Sequence, residues 1–184
     1  MSAAFNGQPT LEGDTIRLRP TAAEDWDALY AVARDPQIWA KHPAWDRYQE
    51  PVFRAYFEDA LASRGALTVI DKASGRVIGG SRFAAFPELD EVEIGWTFLS
   101  RDFWGGAVNR QMKRLMLGHA LASFPRTVFR VGETNVISRR AMEKIGGRMT
   151  DRVEDIVRGG KPIRHVIYEI DRENFANGPL TAAA

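Results

Sequence analysis

Along the chain of 184 residues, apolar and polar positions change period several times, and each change marks an element. TIRLRP alternates apolar and basic residues and predicts a first strand. TAAEDWDALYAVARD then sets Trp26, Leu29, Tyr30 and Ala33 on one helical face, with Thr21 and Glu24 at capping-box spacing at its start. A Pro- and Trp-rich passage, DPQIWAKHPAWDRYQEP, predicts a loop leading to a second helix, VFRAYFEDALASR. Three β-rich runs follow, ALTVID, RVIGGSRFAAF and EVEIGWTFL, separated by short polar turns that predict an antiparallel meander.

The period then returns to that of a helix. A long helix from about Gly106 to Phe124 carries Val108, Met112, Leu115, Met116 and Leu121 as a core stripe, with His119 near it as a partly buried structural residue. RTVFRVGE, a short helix from Asn135 in NVISRRAMEKIGG, and two closing strands, GRMTDRVEDIV and IRHVIYEI, complete the pattern. One α+β domain over residues 1–184 is expected, with residues 1–12 and 175–184 as frayed tails.

Directly after EVEIGWTFLS comes WGGAVNRQMKRLMLGHA, in which an aromatic and two glycines precede the long helix. A helix start leaves several N–H groups unpaired and carries the positive end of the helix dipole, and two residues without Cβ let an anion approach closely. The stretch therefore reads as an anion cradle, or equally as a tight strand-to-helix turn. It is neither G-x-G-x-x-G in a parallel βαβ unit nor G-x-x-x-x-G-K-[ST], so dinucleotide and P-loop readings fall away.

Composition narrows the chemistry. Twenty-five Lys plus Arg against 24 Asp plus Glu give a formal net charge of +1, which argues against a nucleic-acid or anionic-membrane partner. With no cysteine, thiolate metal sites, disulfides and a Cys nucleophile are excluded, and the three histidines, at positions 42, 119 and 165, lack metal-ligand spacing, so no metal is expected. No apolar run reaches the roughly 18 residues of a membrane span, and the start lacks signal-peptide character, so a cytoplasmic protein is expected.

WGGAVNRQMKRLMLGHA after EIGWTFL, with ETNVISRRAMEKIGGR behind it, resembles the acetyl-CoA-binding core of the GNAT superfamily of N-acetyltransferases, and particularly its ribosomal-protein N-terminal acetyltransferase-like subgroup. The resemblance runs from about Val92 to Met149, with weaker agreement at the N-terminal strand and helix. It implies a central, mixed, mostly antiparallel sheet of about seven strands with about four helices, splayed at the middle for acetyl-CoA as cosubstrate. The family's pyrophosphate motif puts small residues where Gly105 and Ala107 stand, whereas Asp102 occupies the position of its Gln or Arg and Arg101 lies one place early. Cofactor contacts are then expected from Phe98, Leu99, Arg101, Trp104, Gly105, Gly106, Ala107, Val108 and Asn109, and from Asn135, Arg139 and Arg140.

Acyl transfer from a thioester to an amine needs a neutral amine, donors for the oxyanion and a proton for the thiolate, and no covalent nucleophile. Period two along EVEIGWTFL sets Glu91 and Glu93 on one side, with Val92, Ile94, Trp96 and Phe98 on the other. By the resemblance a carboxylate on this strand takes the amine's proton, Glu93 first and Glu91 second; a merely solvated or paired carboxylate is the plain alternative. Asn135 reads as an N-cap and, by the resemblance, a pantetheine contact; Ser138 is the candidate proton donor, with water as the alternative. Arg110 and Lys113 are further candidates for the nucleotide's 3′-phosphate, or simply a wet face.

The expected activity is direct transfer of acetyl from acetyl-CoA to a primary amine, of a protein N-terminus or a small molecule, in a ternary complex. A non-catalytic acetyl-CoA-binding sensor or scaffold module is the alternative. Trp39, His42, Trp45, Tyr48, Phe86 and the neighbourhood of Arg164 are expected around the acceptor, and a strand edge near the C-terminus permits a homodimer.

Overall fold

Alternating runs and helical stripes fold, in a computed structural model describing residues 5–158 and 160–181, into one open eight-stranded sheet with helices on both faces. β1 (Leu11–Glu12) and β2 (Ile16–Pro20) precede α1 (Trp26–Ala33), α2 (Pro36–Trp39) and α3 (Glu50–Ser63). The meander follows as β3 (Ala66–Asp71), β4 (Val77–Phe86) and β5 (Glu91–Leu99). Then come α4 (Ala107–Ser123), β6 (Arg126–Gly132), α5 (Val136–Lys144), β7 (Arg148–Arg158), β8 (Lys161–Asp171) and α6 (Arg172–Ala176). Spatial order is β1-β2-β3-β4-β5-β6-β8-β7, antiparallel throughout except for β5 against β6.

This is the expected α+β, GNAT-type architecture, with one strand and two helices more than the pattern suggested. The additions are two to five residues long, too short for any periodicity to register. One face of the sheet packs on α4 through Ile16, Leu18, Ile94, Met112, Met116 and Leu117, all at most 1% exposed. The other carries an aromatic cluster of Trp39, Phe53, Phe57 and Phe98 under α1 and α3.

Two local expectations need correction. The carboxylate at the start of the first helix is Asp25, not Glu24: it accepts from the Ala22 N–H at 2.9 Å and pairs with Arg19 at 2.6 Å, while Thr21 turns inward to Thr68 at 3.0 Å. The ends are packed rather than frayed over residues 5–12 and 175–181. Phe5 sits edge-on to Phe83 and Phe124, Leu11 and Glu12 pair with Leu18 and Arg17, and Leu180 is buried. Residues 1–4 and 182–184 lie outside the described residues. His119 packs as expected of a structural residue, its Nε2 2.7 Å from the Asn6 carbonyl and its ring against Phe5.

Candidate active site

The sheet opens where its one parallel pair fails. β5 and β6 are in register only from Glu91 to Glu93, opposite Arg126 to Val128. Beyond that point β5 stays paired with β4 and β6 stays paired with β8, so their facing edges diverge. A cavity of about 400 Å³ fills the gap. Its β5 wall is Ile94–Leu99, its β6 wall Phe129–Gly132; α4 supplies Asn109 and Lys113, and α5 Ile137, Ser138, Ala141 and Met142. Trp39, His42, Pro43 and His165 close the far end.

A β-bulge in β5 shapes the wall. Gly80 faces Phe98 but Arg82 faces Gly95, so β5 holds one residue more than β4 across this interval. The bulge is at Trp96, a non-glycine residue at φ 52, whose carbonyl accepts from the Tyr56 hydroxyl at 2.8 Å. The extra residue inverts the alternation beyond it. Val92, Ile94 and Leu99 face the α4 core, whereas Phe98 joins the aromatic cluster, so strict period two had put Phe98 on the wrong side.

At the open end of the cleft, Gly105 takes φ +69 and Gly106 is an extended N-cap with no side-chain cap on α4. The first-turn amides, Gly106 to Asn109, find no acceptor elsewhere among the described residues. A Cβ on either glycine would meet nothing within 4 Å, so the space in front of these amides is open. Trp104, whose Nε1–H donates to the Leu99 carbonyl at 2.9 Å, stands half exposed beside it. Trp104, Gly105 and Asn109 line the cavity, and Val108 packs inward on the core. Arg101 and Asp102 belong to a different groove, beside Asp35 and Arg76. Arg101 donates to Asp35 at 2.5 Å, which holds its side chain in that groove and off the cavity wall.

The two strand carboxylates sit in different electrostatic settings. Glu91, fully buried at the start of β5, receives a bidentate pair from Arg152 at 2.8 and 2.9 Å, which holds its carboxyl below the usual range. It does not line the cavity, and a carboxylate so paired is a poor base. Glu93, 6% exposed, is pushed up to about 7 by burial, with Arg130 at 2.8 Å opposing that shift. Arg130 is shared with Glu154 and itself lines the cavity. Glu93 reaches the wall at Gly95, where a Cβ would come within 3.1 Å of its Oε1.

No carboxylate lines the cavity among the described residues; its titratable groups are His42, Lys113, Arg130 and His165. Burial, then the charges of Arg47 and Arg158, lower His42 to about 3, and its Nδ1 accepts from the Ala44 N–H at 2.9 Å, so the ring is neutral. Asn135 caps α5, accepting from the Ser138 N–H at 3.2 Å, and both residues line the cavity. Arg139 is bound to the Tyr168 hydroxyl and the Glu133 carbonyl, and Arg140 is exposed. Arg110 is exposed and donates to the Pro179 carbonyl.

Lys113, a candidate for the 3′-phosphate or a wet face by sequence, is neither exposed nor on the outer face of α4. It is 3% exposed on the cavity side of α4, where its Nζ donates to Thr97 Oγ1 at 2.9 Å. Its position one turn before Met116 and Leu117 and two before Ala120 is the signal that sequence reasoning passed over. Trp39 is a core residue that donates to the Ala33 carbonyl at 2.7 Å, whereas Trp45 is 58% exposed. No group of three or more His, Cys, Asp or Glu converges as a metal site among the described residues, and no helix there is long and apolar enough to cross a membrane.

Comparison with known proteins agrees with this geometry. Residues 15–148 match the model of the acetyltransferase (GNAT) domain. Among solved structures, a GCN5-related N-acetyltransferase from Brucella melitensis superposes with a TM-score of 0.78 at 22% identity, over 95% of this chain and 82% of that one. RimJ from Mycobacterium smegmatis, in complex with CoA-disulfide, gives 0.69 at 17% identity over 94% and 90%. The microcin C7 self-immunity acetyltransferase MccE, in complex with acetyl-CoA and AMP, gives 0.72 at 16% over 86% and 93%. No curated protein matches the sequence.

Proposed function

We propose, from the premise that this chain belongs to the GNAT family of acetyltransferases, that it moves an acetyl group from acetyl-CoA to a primary amine by direct attack in a ternary complex. The observation that carries this reading is the cleft between the diverging edges of β5 and β6, leading to the unpaired amides at the start of α4. In this reading the pyrophosphate rests on the amides of Gly106 to Asn109, with Trp104 and Gly105 beside it. The pantetheine runs along Phe98 and Leu99, whose β6-facing backbone edge lacks a strand partner, and past Asn135. Arg139 and Arg140 lie toward the nucleotide end, Arg140 as the exposed cation available to its 3′-phosphate.

Glu93 is the proposed base, acting through a water at Gly95, and the chemistry suits it. A carboxylate raised to about 7 is half ionised at neutral pH, near the best value for accepting a proton from an amine adduct there. The acceptor is a protein N-terminus or a small-molecule amine, entering past His42, Trp45 and Tyr48, and cytoplasmic acetyl-CoA would supply the acyl group. The resemblance of WGGAVNRQMKRLMLGHA and ETNVISRRAMEKIGGR to the ribosomal-protein N-terminal acetyltransferase-like subgroup makes protein N-termini the acceptors to try first.

Thiol release from acetyl-CoA with a panel of N-terminal peptides and small amines tests the reading. Turnover with intersecting double-reciprocal plots, and no acetylated enzyme intermediate by mass spectrometry, is expected. Parallel plots with a covalent intermediate would refute the ternary mechanism. Binding of acetyl-CoA without turnover on any amine would favour a sensor or scaffold module.

A further inference from the structure

Among the described residues Lys113 is the one amine that lines the cleft, and no carboxylate there pairs with it. Its Nζ has three hydrogens and one hydrogen-bond partner, Thr97 Oγ1 at 2.9 Å, and lies 5.5 Å from the centre of the Phe129 ring. Thr97 Oγ1 is linked in turn to Ser81 Oγ at 2.8 Å, a neutral network with no carboxylate. The core residues of β2, β5 and β6 on this side of the sheet, Ile16, Leu18, Ile94 and Phe129, are uncharged. Tyr168 of β8 is hydrogen-bonded to Arg139 and Glu143. Sharing the cavity wall are His42, His165 and Arg130, the last paired with Glu93 and Glu154. Two N–H vectors of a buried ammonium are therefore without a protein acceptor among the described residues, in the cavity proposed to hold the thioester.

We infer that Lys113 is the acid of the acyl transfer, giving its proton to the CoA sulfur as the carbon–sulfur bond breaks. The inference rests on the acetyl-CoA reading of the cleft. A neutral amine attacks the thioester carbon and forms the C–N bond, and the adduct passes its excess proton through water to Glu93. Collapse then breaks the C–S bond, and the thiolate takes a proton from Lys113 Nζ. CoA leaves as the thiol; Glu93 returns its proton to solvent, and the Lys113 amine is recharged from solvent.

Lys113 answers the need better than Ser138 on the same wall. A hydroxyl is a far weaker acid than a thiol and cannot hand a thiolate its proton, whereas an ammonium, ordinarily near 10.4 against about 8.5 for a thiol, comes close. Burial closes the gap, lowering Lys113 to about 7 and making the transfer to sulfur downhill. Ser138, half-buried at the start of α5, is left to orient the sulfur.

The test uses the full chain with its five lysines carrying 13C at Cε, titrated alone, with CoA and with desulfo-CoA. Lys113 is assigned by the signal missing in Lys113→Met. If its proton faces the sulfur, its apparent pKa is higher with CoA than with desulfo-CoA by at least about half a unit. Lys113→Met is expected to fold, bind acetyl-CoA within about threefold of wild type and lose about 100-fold in thiol release, together with the falling limb of the pH profile. Should that variant not fold, Lys113→Arg keeps a charge and a donor but no transferable proton, and must lose thiol release equally. Equal titration with the two ligands, or thiol release by either variant near the wild-type rate, overturns the inference. Failure of the wild type to bind CoA at all would instead remove the reading on which it rests, and the inference with it.

Discussion

Gly95→Ala isolates the route by which Glu93 serves the cleft. Gly95 lines the cavity, and its backbone is not in the left-handed region, so alanine adds no backbone strain. The new Cβ would lie 3.1 Å from Glu93 Oε1 and 3.7 Å from its Cδ, inside ordinary contact with the oxygen, and would cover the carboxylate's approach to the wall. A general base contributes about 10²–10⁴-fold, so covering it is expected to lower kcat/KM about 100-fold while acetyl-CoA affinity, set at the other end of the cleft, changes less than about threefold.

The pH profile provides the decisive signature. With neutral amine held at constant concentration, a base with a pKa of about 7 goes from about 1% to about 9% ionised between pH 5 and 6. Wild-type kcat/KM should therefore rise roughly ninefold over that interval, and Gly95→Ala and Glu93→Gln should both lose the slope. Activity of Gly95→Ala within threefold of wild type, or an intact slope in Glu93→Gln, would refute Glu93 as the base.

Glu91→Gln should act on stability and spare chemistry: loss of the Arg152 pair with a fully buried carboxylate costs about 2 kcal/mol, discounted for the part-exposed arginine, or about 4–8 °C in Tm by calorimetry, with thiol release at 25 °C retained. Gly105→Ala forces a side chain to φ +69 at about 1 kcal/mol and disturbs the cradle, so its acetyl-CoA Kd should rise about tenfold in a calorimetric titration. Asn135→Ala removes the α5 cap, about 1 kcal/mol of stability in urea unfolding, and should also raise the acetyl-CoA Kd.

The strands and long helices were legible because each buries one face against one layer, and burial of that kind writes a period into the sequence. EVEIGWTFL became β5 and the Met112–Met116 stripe became the α4 core for that reason. What was lost depended on tertiary register. The bulge at Trp96 inverts half of β5, and no local pattern marks it, because the extra residue is set by the pairing of Arg82 and Gly80 and held by Tyr56 from another element. The difference between Glu91 and Glu93 is equally non-local: two carboxylates of one type, two residues apart, diverge because Arg152 neutralises the first while burial dominates at the second. The burial of Lys113 is not legible from residue type, which suggests a 3′-phosphate contact or a wet face; only its helical spacing with Met116, Leu117 and Ala120 points inward. The pairing of Arg101 with Asp35 is equally non-local, because nearness in sequence to the glycines says nothing of a carboxylate 66 residues earlier.

Calorimetric titration of the purified protein with acetyl-CoA, with NAD and ATP as controls, tests the central claim most directly. Selective binding of acetyl-CoA in the micromolar range, weakened by Gly105→Ala, is the predicted result. A folded protein that fails to bind acetyl-CoA, or binds NAD or ATP equally well, would contradict the account of the cleft between β5 and β6.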